Sequence, residues 1–391
     1  MYSGSAIFRF FSVMGLVTVA LLPLVSACSA QPAEQVAEAE PTLEEMIGQM
    51  LMVGFRGFSV EEAAQEGIVE GIRDRNLGGI ILFDYDVPTS RRVRNVASPE
   101  QLQKLVSGLQ QEAAVPLFVA IDQEGGQVSR LKPQFGFPEI PSHARLGALN
   151  NPDSTRYYAR EMGQMLSETG INVNFAPVVD VNVNPENPVI GQLERSFSAE
   201  PEVVIQQARI FLESFEEFGV WGVIKHFPGH GSAWNDSHHG MADVTGVWQE
   251  AELQPYRELL SKPADSGDAV KAEMLMSAHI FNEVWNAEHP ATLAPEVMDQ
   301  LLREELNFDG LLFSDDMQMG AIADYYGLEE AIERAVNAGI DVLVFPNNSV
   351  YDPEITRKAS DIILKKVQQK EIPEARVRQA YERIMRYKEQ L

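Results

Sequence analysis

Gly310-Leu311-Leu312-Phe313-Ser314-Asp315-Asp316 sets three large apolar side chains in a row and then turns acidic. A half-solvated strand alternates apolar and polar residues. An unbroken apolar run is how a strand reads when both of its faces are covered, as in a parallel sheet flanked by helices. The same design recurs as Gly-Gly-Ile-Ile-Leu-Phe at 78–83, Pro-Leu-Phe-Val-Ala-Ile-Asp at 116–122 and Asp-Val-Leu-Val-Phe at 341–345. Working outward, eight strands are expected at 51–55, 79–83, 117–122, 173–180, 222–226, 274–280, 310–315 and 341–345. Amphipathic helices fill most of the gaps, at 99–112, 151–169, 201–218, 250–260, 294–306 and 328–338, and two more follow at 352–369 and 373–390. Eight strands alternating with helices fit an α/β fold of the TIM-type (β/α)8 kind, a single domain over residues 42–391. A doubly wound sheet satisfies the same periodicities and stays open, because a period says nothing about closure.

The strand ends carry a second pattern. Asp122 follows Leu-Phe-Val-Ala-Ile, Asp180 follows Ala-Pro-Val-Val, and Lys225-His226 follow Gly-Val-Ile. His279 ends Met-Leu-Met-Ser-Ala, and Asp315-Asp316 end Leu-Leu-Phe-Ser. Any one of these could cap a helix or sit satisfied in the core. Five strands ending alike point to one polar pocket on the face where barrels carry their active sites.

Composition narrows the partners. The chain has 31 Lys and Arg against 57 Asp and Glu, a net charge of −26. That balance argues against nucleic acid, whose binding needs cationic side chains to neutralise phosphates. One cysteine, Cys28, leaves neither an intrachain disulfide nor a Cys-based zinc site. Residues 1–27 hold a single charge, Arg9, then an apolar run from Phe10 to Leu22, and read as a secretory signal. Val25-Ser26-Ala27-Cys28 resembles a bacterial lipobox, which implies a lipidated Cys28 as mature N-terminus. Ser29 in place of Asp after the cysteine implies the outer membrane by the same resemblance. Residues 28–41 are then a flexible tether rich in Ala, Glu and Pro. The membrane is expected as a partner through the lipid alone, and the protein is expected as a monomer.

Lys225-His226-Phe227-Pro228-Gly229-His230-Gly231, with Asp236-Ser237-His238-His239 after it, holds four of the seven histidines. A metal site is one reading, but Pro228 and Gly229 between His226 and His230 prevent the helix that presents paired zinc ligands. A plain surface loop is another. A third pairs Asp236 with His238, since a carboxylate beside an imidazole makes a general acid/base near neutral pH. Asp122 and Glu124 form a carboxylate cluster open to a cation. Arg130 and Arg195 could serve only as salt-bridge residues. Arg91, Arg92 and Arg94 are expected to be a solvated basic cluster.

These segments resemble, in order, those of the NagZ-like β-N-acetylhexosaminidases of glycoside hydrolase family 3. Leu43–Met50 is similar to the family's opening helix, 122–130 to its sugar-binding loop, and 189–197 to a stretch with a substrate-contacting arginine. Lys225–Gly231 with Asp236-Ser237-His238 resembles the family signature, and 313–317 its nucleophile motif. The resemblance implies Asp315 as nucleophile, with Asp316 as rival, and His238 as acid/base partnered by Asp236. It implies sugar contacts at Asp122, Arg130, Arg195, Lys225 and His226, and neither metal nor cofactor. Ser232-Ala233 stands where relatives commonly carry Asp-Thr. The implied function is a retaining exo-β-N-acetylglucosaminidase acting on a small carbohydrate, from peptidoglycan fragments or chito-oligosaccharides. Phosphorolysis, β-glucosidase action and a non-catalytic sugar-binding lipoprotein are the alternatives.

Overall fold

A computed structural model describes residues 40–91, 94–261 and 270–391. The signal, Cys28 and the tether up to residue 39 lie outside the described residues. Among the described residues ten strands occur: β1 Leu51–Gly54, β2 Gly79–Leu82, β3 Phe118–Ile121, β4 Val173–Asn174 and β5 Trp221–Phe227, then β6 Ala242–Asp243, β7 Met274–Ser277, β8 Ile280–Phe281, β9 Leu311–Asp316 and β10 Val342–Phe345. Eight of them close a parallel barrel in the order β1-β10-β9-β7-β5-β4-β3-β2. Closure removes the doubly wound alternative, since β1 pairs with β2 through Val53 opposite Ile80 and with β10 through Met52 opposite Val344. β6 and β8 form a small parallel pair apart from the barrel.

Burial on both faces explains the unbroken apolar runs. Every residue of β2, β3, β7 and β10 is buried. Inside the barrel Phe313 meets Phe118 and Phe175 edge-on, at centroid distances of 6.4 and 5.5 Å. Helix starts follow their local chemistry. Thr42 and Glu45 form a capping box on Leu43–Gln49, while Ser98 and Asn151 accept from amides of the helices Pro99–Glu112 and Pro152–Glu168. In the last helix, Glu374–Lys388, the Lys388 ammonium is buried and donates to Gln49 Oε1 and Gly78 O, both at 2.6 Å.

Several expected elements change shape. Regular pairing over 173–180 stops after Asn174, and Val178 rejoins β5 as a bridge to Lys225. Pro177 lies between and has no N–H to give the ladder. The 274–280 strand divides, because Ile280–Phe281 leaves the barrel for β6. Helix 250–260 is a 3₁₀ turn, Glu250–Leu253, followed by Gln254–Leu259. Helix 294–306 is a π-type helix over Glu296–Glu305. Short helices at Val60–Gln65, Ile68–Arg75 and His143–Leu149 add to the expected set.

Candidate active site

The strand ends do converge. Asp122, Arg130, Arg195, Lys225, His226, His238 and Asp315 all line one cleft of about 350 Å³ at the C-terminal face of the barrel, and Asp236 stands behind His238. The floor beneath is apolar, with Ile81, Phe175, Met276 and Val344.

One wall is a web of charges from β5 itself and from the connections after β3 and β4. Arg195 donates Nε and Nη2 to the two oxygens of Glu124, both at 2.8 Å. Lys225 reaches Glu124 Oε1 and Asp122 Oδ1, each at 2.7 Å. Arg130 stands 3.7 Å from Asp122. These cations meet the carboxylate cluster from within the protein, so the open-cation alternative at Asp122 and Glu124 has no basis in the geometry. Burial pushes the Glu124 carboxyl up, and Arg195 and Lys225 overcome it and hold the group well below the usual range. Glu124 thereby fixes the two cations facing the cleft, a role the sequence alone did not show.

His226 is fixed from both sides. Its Nδ1 lies 2.7 Å from Asp180 Oδ2, and its Nε2 lies 3.1 Å from Arg195 Nη2. A guanidinium only donates, so Nε2 accepts and the proton sits on Nδ1, donated to Asp180. Asp180 also accepts the backbone amide of His230 at 2.7 Å. The chain can turn this tightly because residue 231 is glycine: a Cβ there would lie 1.7 Å from Val181 O. His230 is buried, touches Ser237 Oγ at 3.1 Å, and burial lowers its pKa to about 4. Its ring and that of His226 thus serve different partners, and among the described residues no group of three or more His, Cys, Asp or Glu is placed to hold a metal.

The opposite wall carries the other pair. His238 Nδ1 and its backbone amide both bond Asp236 Oδ1, at 2.7 and 2.8 Å. That bond holds the Asp236 carboxyl down at about 2 and raises the imidazole above its ordinary value. The loop rests on the turn after β9, where Gly320 N donates to His238 O and Ala321 N to Ser237 O, at 3.3 and 3.2 Å. Ser232, at the departure from the family pattern, donates its amide to Glu252 Oε2 at 3.1 Å, and Ala233 is fully buried.

Asp315 and Asp316 differ. Burial pushes the Asp315 carboxyl up, but the imidazoles of His279, His226 and His238 and the Asp316 amide hold it at about 2. Burial pushes Asp316 up to about 7, helped by the neighbouring Asp315 charge, and its Oδ1 is engaged by the Gln318 amide at 2.7 Å. An ionised carboxylate can act as a nucleophile, whereas a protonated one is far weaker. His279 braces this strand end by donating Nε2–H to Asp316 O at 2.9 Å. One expectation fails nearby: Arg94 is buried, not solvated, and donates to Phe55 O, Asn348 Oδ1 and Pro346 O at 2.9, 2.8 and 3.2 Å. Oxygen acceptors from separate connections collect there, which the spacing of arginines could not reveal.

Residues 42–387 match the family model described as the glycosyl hydrolase family 3 N-terminal domain. The chain is 33% identical over 339 residues to β-hexosaminidase A of Pseudoalteromonas piscicida, covering 79% of this chain and 54% of that protein. It is 32% identical over 341 residues to β-hexosaminidase LpqI of Mycobacterium tuberculosis, covering 84% and 78%. Its fold is similar to a family 3 β-N-acetylglucosaminidase from Paenibacillus sp. FPU-7, with a TM-score of 0.79 and 35% identity over 90% of this chain and 62% of that one. A β-N-acetylhexosaminidase from Beutenbergia cavernae gives 0.76 and 29%, over 90% and 99%. The chain therefore spans about half the length of the Pseudoalteromonas relative and under two thirds of the Paenibacillus one.

Proposed function

This chain belongs to glycoside hydrolase family 3, and from that premise we propose that it is a retaining exo-β-N-acetylglucosaminidase. One observation carries the proposal: a carboxylate held ionised and an aspartate-backed imidazole face the same cleft, beside a fixed wall of cations and carboxylates. Asp315 attacks the anomeric carbon while His238 gives its Nε2 proton to the glycosidic oxygen. The carbon–oxygen bond breaks, the aglycone leaves as an alcohol, and a glycosyl–Asp315 ester remains. His238, now neutral, takes a proton from water as that water attacks the anomeric carbon, which frees Asp315 and restores the original configuration. Asp122, Arg130, Arg195, Lys225 and His226 hold the sugar hydroxyls. The substrate is a β-GlcNAc-terminated peptidoglycan fragment or chito-oligosaccharide, and Cys28 anchors the protein in the cell envelope.

Release of p-nitrophenol from β-GlcNAc and β-glucoside conjugates, with and without phosphate, tests the activity. Turnover of the GlcNAc compound alone, independent of phosphate, is the expected result. Phosphate dependence with a sugar 1-phosphate as product would reassign the chain to phosphorolysis. His238→Ala separates the roles. It should slow unactivated glycosides by about 10²–10⁴-fold and aryl glycosides less, because a good leaving group needs less acid assistance. Equal losses on both would remove His238 from the acid/base role. Fatty-acid labelling that is lost in Cys28→Ala tests the anchor.

A further inference from the structure

The charge web and the loop of His238 account for two sides of the cleft. A third side, built by the connection after β2, has no part in either. Asp84 is 2% exposed there and lines the cleft. Its Oδ2 accepts from Lys132 Nζ, while its buried Oδ1 has no partner. A buried carboxylate oxygen left unmatched is costly, and a donor from a ligand in the cleft would satisfy it. Tyr85 and Val87 follow on the same lip, 37% and 50% exposed. They are held on a pinned turn, because Asp86 between them pairs with Arg91 across the hairpin and takes a two-pronged bond from Arg56 at 3.0 and 3.1 Å. An aromatic ring and a branched side chain on a fixed turn offer an apolar shelf with little ordering cost.

We propose that Asp84, Tyr85 and Val87 form the site for the sugar unit on the leaving-group side, and that this site selects an uncharged pyranose over one bearing a carboxylate. The proposal rests on the β-N-acetylglucosaminidase function. The first sugar is claimed by groups on β5 and after β3 and β4, and its anomeric carbon faces Asp315 on β9. The sector after β2 is left for the unit beyond the scissile bond. A second pyranose would lay its C–H face on Tyr85 and Val87 and donate a hydroxyl or amide hydrogen to Asp84 Oδ1. Besides Asp316, whose carboxyl burial pushes up, four carboxylates line the cleft against three lysine or arginine groups, and Lys132 is already matched to Asp84. A muramic-type ring with a free carboxylate therefore meets repulsion, whereas a second GlcNAc does not.

The test compares kcat/KM for methyl β-GlcNAc, which has no second ring, for GlcNAc-β-1,4-GlcNAc, and for GlcNAc-β-1,4-anhydro-N-acetylmuramic acid. Wild type should prefer the GlcNAc disaccharide to the muramic one by tenfold or more. Tyr85→Ala and Asp84→Ala should each lose about tenfold more on the GlcNAc disaccharide than on the methyl glycoside, the worth of one contact of about 1.4 kcal/mol. Asp84→Asn, which keeps an acceptor oxygen, should narrow the preference between the two disaccharides. Tyr85 is exposed, so its variant should melt with the wild type and keeps the test readable if Asp84 variants fold poorly. Equal losses on methyl glycoside and disaccharide would place these residues at the first sugar and overturn the proposal, as would a wild-type preference for the muramic compound. Absence of turnover by folded wild type on all three would overturn the glucosaminidase function along with it, whereas normal turnover with unaffected variants would overturn the leaving-group site alone.

Discussion

His226 and His238 each contact an aspartate through Nδ1 at 2.7 Å, and the two pairs sit in opposite surroundings. The His226 side chain is 7% exposed and its aspartate fully buried; the His238 side chain is 49% exposed and its aspartate 29%. What separates them most is the other ring nitrogen. Nε2 of His226 is occupied by Arg195, a group that only donates, so this ring has no proton to give there. Nε2 of His238 has no protein partner among the described residues, and the side chain lines the cleft. An Asp–His bond by itself therefore does not mark an acid/base. The group at the far nitrogen decides whether the imidazole binds or reacts.

That contrast can be broken in four places. Asp315→Asn takes away the carboxylate both walls surround, and should cut kcat on the order of 10⁵-fold while sugar binding, followed by calorimetry, persists. Loss of binding in step with turnover would mean that Asp315 mainly holds the sugar. Asp180→Asn strikes the buried pair. It weakens the support of His226 and of the His230 amide at once, so it should cost about 3 kcal/mol in denaturant unfolding and raise KM. An unchanged unfolding midpoint would show that Asp180 is not a structural brace.

Asp236→Asn strikes the exposed pair and should leave the melt close to wild type. It should lower kcat by roughly 10–100-fold and move the alkaline limb of kcat/KM. In the acid role proposed for it, His238 must be protonated, so activity should fall as pH rises through its pKa, which Asp236 holds above the ordinary 6.5. Without Asp236 that limb shifts to lower pH, whereas Asp315, held at about 2, sets no limb near neutrality. A limb that stays in place would remove Asp236 as the partner that tunes the acid. The smallest effect belongs to Ser237→Ala, which deletes the bond to His230 and should cost about 1 kcal/mol, read as a tenfold or smaller loss in kcat with KM nearly unchanged. A change in KM alone would mean that the Ser237–His230 bond shapes sugar binding and not the acid/base loop.

The eight barrel strands and the polar character of their ends were legible because they are local properties. A run such as Leu311-Leu312-Phe313 reports two-faced burial over a few residues, and a charge at its end reports the barrel face it reaches. The shapes of 173–180 and 294–306 were less legible, since Pro177 and a widened helix turn act through hydrogen-bond geometry that a hydrophobic period does not encode. The solvated setting expected for Arg94 failed for a related reason: two of its acceptors are main-chain carbonyls, which every residue has and no sequence pattern displays. Asp84 escaped notice because an orphaned oxygen is defined by what fails to reach it.

Sequence alone determined which side chains stand at strand ends and that their charge gathers where one polar pocket can form. Tertiary structure decided that the sheet closes, that Lys225 meets Asp122 across 103 residues of chain, and that Arg195 stops His226 while leaving His238 open. The physical reason is range. Burial pattern and turn chemistry are set by near neighbours along the chain, whereas charge state and proton position are set by whichever groups the fold brings within about 3–4 Å, however far apart they are in sequence.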